Sequence, residues 1–127
     1  MRLPNVPVVD TNVILRYLLR DHAELSPMAT AIFEDWRALA VPNEVLCEVV
    51  YVLAKVYEVP RPVIASTLSA LVRRPHLVFD NREVMSLALE MYGIKSVDFV
   101  DALLFSRRRV EGVEILTFDQ ALKKLCR

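Results

Sequence analysis

Apolar residues fall into short blocks and longer stretches with helical spacing, and the two kinds alternate along the chain. Val6–Val9 is a short apolar run that stops at Asp10, after which Val13, Ile14, Tyr17 and Leu18 share one face of a helix. Ser26-Pro27 reads as a cap and a proline at the first helical position, opening a helix through Trp36. Leu39–Val41 is a brief strand, and Pro42-Asn43 caps a long helix from Glu44 to about Tyr57. Pro60 and Pro62 start a further helix, which Pro75 closes. Leu77–Phe79 is a strand, Asn81 caps a helix to Tyr92, and Gly93 terminates it. Ser96 caps a helix to about Arg109, Gly112 breaks it, Glu114–Leu116 is the last strand, and a short helix follows.

Strands thus alternate with crossovers long enough to be helical. That order predicts an α/β fold, an α/β/α sandwich around a small, mostly parallel sheet. No repeat, low-complexity stretch or linker interrupts it, so residues 1–127 are expected to form a single domain. Ligands of such sheets bind beyond the carboxyl ends of the strands. Asp10 follows the first strand directly, and Asp119 lies three residues beyond Leu116. If those strands are neighbours, both carboxylates enter one crevice.

Composition changes the picture in two places. Of the 127 residues 54% are hydrophobic, more than a core of this size needs, so part of the surface is expected to be covered by another chain. A Leu- and Val-rich core without a partner is the alternative. No run approaches the ~18 apolar residues of a membrane span. The longest, Val45–Val56, is broken by Glu48 and Lys55. Sixteen basic residues balance 16 acidic ones, so any contact with phosphate has to come from a local patch. Met1–Asn5 lacks the apolar segment of a secretory leader, and Cys47 and Cys126 lack the spacing of a disulfide framework or zinc site. The expected setting is the cytoplasm, with free thiols. His22 and His76 stand alone and are expected in loops, not at a metal.

The candidate chemistry lies in the acids. Asp10 and Asp119 each precede a helix, where aspartate is a favoured N-cap, so each alone reads as a cap. Asp101 differs, because its helix is apolar nearly all round from Val97 to Phe105. An ionised carboxylate buried there needs a partner. Either Arg108, two turns on, snorkels back to it, or a cation shared with other carboxylates compensates it. Glu48 sits at the edge of the stripe Val45, Val49, Val52 and Val56, between Glu44 and Lys55, and alone reads as a surface residue. Together Asp10, Glu48, Asp101 and Asp119 map to the carboxyl-end rim of one sheet. Converging carboxylates repel unless a hard cation lies among them, and Mg²⁺ or Mn²⁺ is the usual occupant of an all-oxygen site. Such a site suits phosphodiester hydrolysis.

Asp10-Thr11-Asn12-Val13-Ile14-Leu15-Arg16-Tyr17-Leu18 resembles the opening of the PIN-domain ribonucleases, specifically the VapC-like toxins of toxin–antitoxin pairs. Glu48 within Val45–Leu53 resembles that family's second acid. Asp98-Phe99-Val100-Asp101-Ala102-Leu103 resembles its third-acid motif, with Asp101 in the ligand place, and Leu116-Thr117-Phe118-Asp119 its closing element. The resemblance implies a PIN-like fold and an endoribonuclease that cleaves RNA with Mg²⁺ or Mn²⁺. It further implies a homodimer held inactive by a cognate antitoxin protein; no membrane partner is expected, since no apolar run is long enough to span one. It makes Asp10, Glu48, Asp101 and Asp119 catalytic metal ligands, and Asn12 and Thr117 supporting polar groups. Asp98 becomes an auxiliary acid, its alternative being a charge favoured at a helix start.

Arg16 and Arg20 lie one turn apart and are candidate RNA contacts flanking the crevice. Arg107-Arg108-Arg109 reads as solvated or snorkelling, and Trp36 as a core or interface residue. Two other functions fit parts of the pattern. A haloacid-dehalogenase-like phosphatase would use Asp10 as nucleophile, but it needs a second aspartate where Asn12 stands. A non-catalytic interaction module would use the acids as caps and ion pairs.

Overall fold

A parallel ladder grows only where both chains have an N–H to give, and this limits the sheet severely. The computed structural model describes residues 5–127, so most of the expectation about the first five residues lies outside the described residues. β1 (Leu39–Val41) and β2 (Leu77–Phe79) pair in parallel, with Leu39 opposite Leu77 and Val41 opposite Phe79. On the other side of β1 the first apolar run makes one parallel bridge, Val8 to Ala40. There the Val9 N–H donates to the Ala40 carbonyl at 3.1 Å, and the Ala40 N–H donates to the Pro7 carbonyl at 2.8 Å. The next step toward the N-terminus would need an N–H on Pro7, and the next step forward one on Pro42. Neither exists. The expected strand Val6–Val9 is therefore a single bridge.

The expected last strand, Glu114–Leu116, does not form. Residues 112–119 carry no regular structure, and Leu116 and Phe118 are 86% and 98% exposed. The edge such a strand would join is one bridge deep, too short to offset the entropy of ordering it.

The helices follow the apolar periodicity closely. α1 (Thr11–Leu19) buries Ile14, Leu15 and Tyr17, and α2 (Leu25–Asp35) buries Ala29 and Phe33. Tyr17 stacks on Phe33 with ring centroids 4.3 Å apart. The cap of α2 is not Ser26. The Nδ1 of His22 accepts from the N–H groups of Glu24 and Leu25, and Ser26 Oγ accepts the His22 N–H at 3.2 Å. Pro27 then sits in the first turn, where no intrahelical donor is required of it. Trp36 lies just past α2 and is 53% exposed, so it is not a core residue.

α3 (Asn43–Lys55) and α4 (Arg61–Val72) each start after a proline, α5 (Arg82–Ile94) is capped by the Asn81 side chain on the Val84 N–H, and α6 (Phe99–Glu111) and α7 (Gln120–Leu125) follow. Gly93 does not terminate α5 but lies within it. A Cβ there would stand 2.7 Å from the Ala65 Cβ, so glycine is required by the close approach of α4 and α5. α6 starts after Asp98, not at Ser96, and ends at Gly112 in the left-handed region with φ 72°. One cluster of buried side chains runs from Val9 through Leu46, Leu68 and Met85 to Leu103, joining helices to the sheet. Among the described residues no helix is long and apolar enough to cross a membrane. The result is a mostly helical α/β fold around a small parallel sheet.

The far end of α6 is tied to α5 by Glu111, which takes Arg107 Nε at 2.8 Å and Asn81 Nδ2 at 3.2 Å. The bond from Arg107, with that from Asn81, holds the Glu111 carboxyl below its ordinary value. A carboxyl depressed by folding contributes stability above its unfolded pKa and loses it as pH falls through the folded one. Glu111→Gln is therefore expected to lower the thermal midpoint slightly at pH 7. That difference should vanish on acidification below the Glu111 range, as followed by circular dichroism across pH 3–7.

Candidate active site

Packing of the first turn of α6 sets the position of Asp101. Phe99 lies edge-on to Tyr92 with centroids 5.7 Å apart, and Ala102, Leu103 and Ser106 are buried. Ser106 Oγ donates to the Ala102 carbonyl, so its hydroxyl needs no outside partner. This apolar anchoring draws Asp101 into a half-buried position. Burial raises its pKa, and the charges of Asp98 and Asp119 raise it further. Among the described residues Asp101 has neither a hydrogen bond nor an ion pair. The snorkelling alternative is overturned, because Arg108 donates its Nε to the Cys126 carbonyl at 3.0 Å instead. Asp101 is a half-buried carboxylate repelled by two others.

Two of the other acids stand at helix starts. Asp10 caps α1, accepting the Val13 N–H at Oδ1, and Asp119 caps α7, accepting the Leu122 N–H at Oδ1. In each case Oδ2 has no hydrogen bond among the described residues, so capping and ligation do not exclude one another. Thr117 Oγ accepts the Asp119 N–H at 3.0 Å and so orients that cap. Asn12 is exposed in the first turn of α1, and Glu48 is exposed on α3. Asp98 immediately precedes α6 and makes no side-chain cap bond, consistent with a charge at the helix start rather than a cap. Asp80, which sequence reasoning missed, follows β2 as Asp10 follows the Val8 bridge. Its Oδ2 accepts the Asn43 N–H at 3.0 Å and fixes the start of α3. The available signal was its place, an acid directly after a strand.

The four main acids do not close on one point. Among the described residues no three His, Cys, Asp or Glu side chains stand where they could share a metal ion. Asp101 feels the charges of Asp98 and Asp119, while Asp10 is held at the start of α1 and Glu48 lies on α3. The undocked segment before Asp119 is the physical reason that Asp10 and Asp119 are not brought together by neighbouring strands.

Of the two candidate RNA contacts, Arg16 is committed within the protein. Its Nη1 pairs with Asp21 at 2.7 Å and its Nη2 donates to the Tyr57 hydroxyl at 3.0 Å. Arg20 is exposed, with its guanidinium 5.7 Å from the Tyr17 ring, and makes no ion pair among the described residues. Cys47 and Cys126 are free thiols. Burial raises the Cys47 pKa, helped by Asp98 and Glu44, so this thiol stays protonated at neutral pH and is a poor nucleophile. His22 is occupied as a cap, and His76 Nε2 meets the Phe33 carbonyl at 2.9 Å.

The family model described as PIN domain matches residues 8–127. The chain belongs to the PIN-domain family. No match was found among curated proteins or solved structures. PIN domains are in general nuclease folds and typically work with divalent metal ions. The donor chemistry of this PIN domain fits such an ion: the candidate donors are carboxylate oxygens, and the nearby thiol of Cys47 is neutral. Asp101, repelled and unpartnered, is the group a cation would stabilise most.

Proposed function

We propose that this PIN domain is an endoribonuclease dependent on Mg²⁺ or Mn²⁺, in which the ion would draw together Asp10, Glu48, Asp101 and Asp119, carboxylates that stand apart without it. The observation that carries the reading is Asp101, half-buried, repelled by Asp98 and Asp119 and lacking a protein cation. A divalent ion in such a site supplies an activated water and stabilises charge developing on the phosphate. The protein's part would be to fix each ligand on its own helix, leaving an oxygen free for the ion. Asp10 and Asp119 are fixed through Oδ1 and keep Oδ2 for the ion, Thr117 orients Asp119, and Asn12 offers an amide beside Asp10. Asp98 adds negative charge at the start of α6, and Arg20 is the arginine left to meet the strand.

The same reading extends to a cytoplasmic VapC-like toxin, homodimeric and held inactive by an antitoxin protein. Support comes from apolar side chains left on the surface, among them Leu116, Phe118, Met28 and Ile94. The interaction-module alternative uses the acids only as caps, and that leaves Asp101 unexplained.

Thermal unfolding with Mn²⁺ and with a chelator tests the site directly. Mn²⁺ at about a hundred times its Kd is expected to stabilise the fold by about 2.7 kcal/mol, and chelation is expected to stop RNA cleavage. An unmoved midpoint together with cleavage that survives EDTA would overturn the reading. Expression without the antitoxin is expected to slow growth; normal growth would remove the toxin role and leave the nuclease.

A further inference from the structure

The clefts outside the acids differ in what they can receive. The one along α2 and the loop before it is lined by Asp21, Glu34 and Asp35 against Arg20 and His22, so it offers phosphate no more than the exposed Arg20 at its edge. The arginine cleft of Arg108, Arg109 and Arg127 lies at the C-terminal ends of α6 and α7, whose dipoles account for its cations. In the groove between α3 and the start of α6 the end of α3 accounts for Lys55, but not for Arg61 at the start of α4 or for the exposed Tyr51. The groove encloses about 420 Å³ and is lined by Cys47, Tyr51, Lys55, Arg61, Asp98 and Val100, with Val50, Ala54 and Val59 as apolar wall.

We infer that this groove is a nucleobase subsite, in which Tyr51 stacks on a base of the RNA strand flanking the scissile phosphate and Lys55 meets the adjoining phosphate. The inference rests on the endoribonuclease reading and adds where the strand runs. Glu44, Glu48, Tyr51 and Lys55 share one face of α3, so a track leads from the acids to the cation. From Glu48 to Lys55 this track covers about 10 Å along the helix axis, at about 1.5 Å per residue. Asp98 lies on the groove's rim and directly precedes the turn that carries Asp101, so groove and acids are continuous.

Tyr51 is 63% exposed and pairs with no other ring or cation among the described residues. Lys55 makes no ion pair among them. A free aromatic face with a cation one turn away matches the two surfaces of a nucleotide, the apolar base and the charged backbone. Another part of the lining is preformed, because Arg61 stacks 4.1 Å from the Tyr92 ring centroid and binds three main-chain carbonyls. A flat ring beside a rigid lining favours a planar ligand. The thiol of Cys47 is too weak a hydrogen-bond group to read a base edge and Arg61 is committed to main-chain carbonyls, so stacking carries the recognition.

Steady-state cleavage of a single-stranded RNA in Mg²⁺ tests this with wild type, Tyr51→Ala and Tyr51→Trp, and with RNAs made abasic at each position in turn. Tyr51→Ala is expected to lower kcat/KM about 5- to 150-fold, and Tyr51→Trp to keep most of it. One abasic position beside the cut should cost the wild type a similar factor and cost Tyr51→Ala nothing more, because both changes remove the same stack. Lys55→Ala should flatten the log–log salt dependence of RNA affinity by about 0.7. Normal cleavage by Tyr51→Ala, or abasic losses that multiply with it, overturns the subsite while leaving the nuclease standing. So does a Tyr51→Ala loss that light scattering traces to a broken dimer, since the groove would then be a protein interface. Absence of wild-type cleavage sinks the endoribonuclease reading itself.

Discussion

Asp101→Asn is expected to reduce RNA cleavage by more than about a hundredfold while raising the thermal midpoint measured without divalent ions. Groups that only support metal ligands cost about 10- to 100-fold when changed, so a ligand should cost more. The stability gain has its own cause. Burial, then Asp98 and Asp119, raise the folded-state pKa of Asp101. A carboxyl raised in this way binds its proton more tightly when folded, so stability falls as pH climbs through that range, and at pH 7 the ionised form is a standing penalty. Asparagine has nearly the same shape without the charge. Cleavage assays and calorimetry in EDTA check both halves. A midpoint that drops would mean that Asp101 has a protein partner in solution.

The same substitution at Asp10 and Asp119 separates capping from catalysis. Asparagine caps a helix about as well as aspartate, so Asp10→Asn and Asp119→Asn should fold normally. If these acids were caps and nothing more, cleavage would survive. Its loss at an unchanged midpoint assigns the carboxylates to chemistry.

Arg61→Ala is expected to be the most damaging change away from the acids, costing about 3 kcal/mol. Its Nη1 donates to the carbonyls of Tyr92, Lys95 and Val97 at 3.2, 3.3 and 2.6 Å, which tie the end of α5 to the turn that launches α6. Removing the guanidinium strands those acceptors and takes the cation from above Tyr92. A loss of that size lowers the midpoint by roughly 10 °C in a domain of this length. Arg61→Lys should rescue only part of this, because an ammonium can donate to the carbonyls but cannot reproduce the planar stack on Tyr92. Chemical denaturation of the three proteins measures the cost. Near-wild-type stability in Arg61→Ala would show that the interhelical turn holds without the clamp.

Much of the helical framework was legible because its signals are local. The stripes of α1, α3 and α6, the Asn81 cap and the Gly112 stop depend on residues within a turn or two of each other. Gly93 shows the limit of that logic. A glycine near a helix end reads as a terminator, yet this one lies inside α5 because α4 comes too close for a Cβ. Ser26 shows it again, since His22 took the cap by folding its ring back over the first turn.

The sheet and the site depended on pairing that no local pattern encodes. Pro7 and Pro42 become the limits of the first bridge only once Val8 is known to face Ala40, and Glu114–Leu116 stays unpaired because the edge left for it is so short. The make-up of the candidate site, a set of carboxylates with no competing histidine, came from the sequence alone. Which of them interact was decided by the tertiary structure. It set Asp101 within range of the charges of Asp98 and Asp119, sent Arg108 to the Cys126 carbonyl, and opened the groove beside Tyr51. Residue type is a property of one position. Charge coupling and burial belong to pairs of positions distant in the chain, and only packing brings those pairs together.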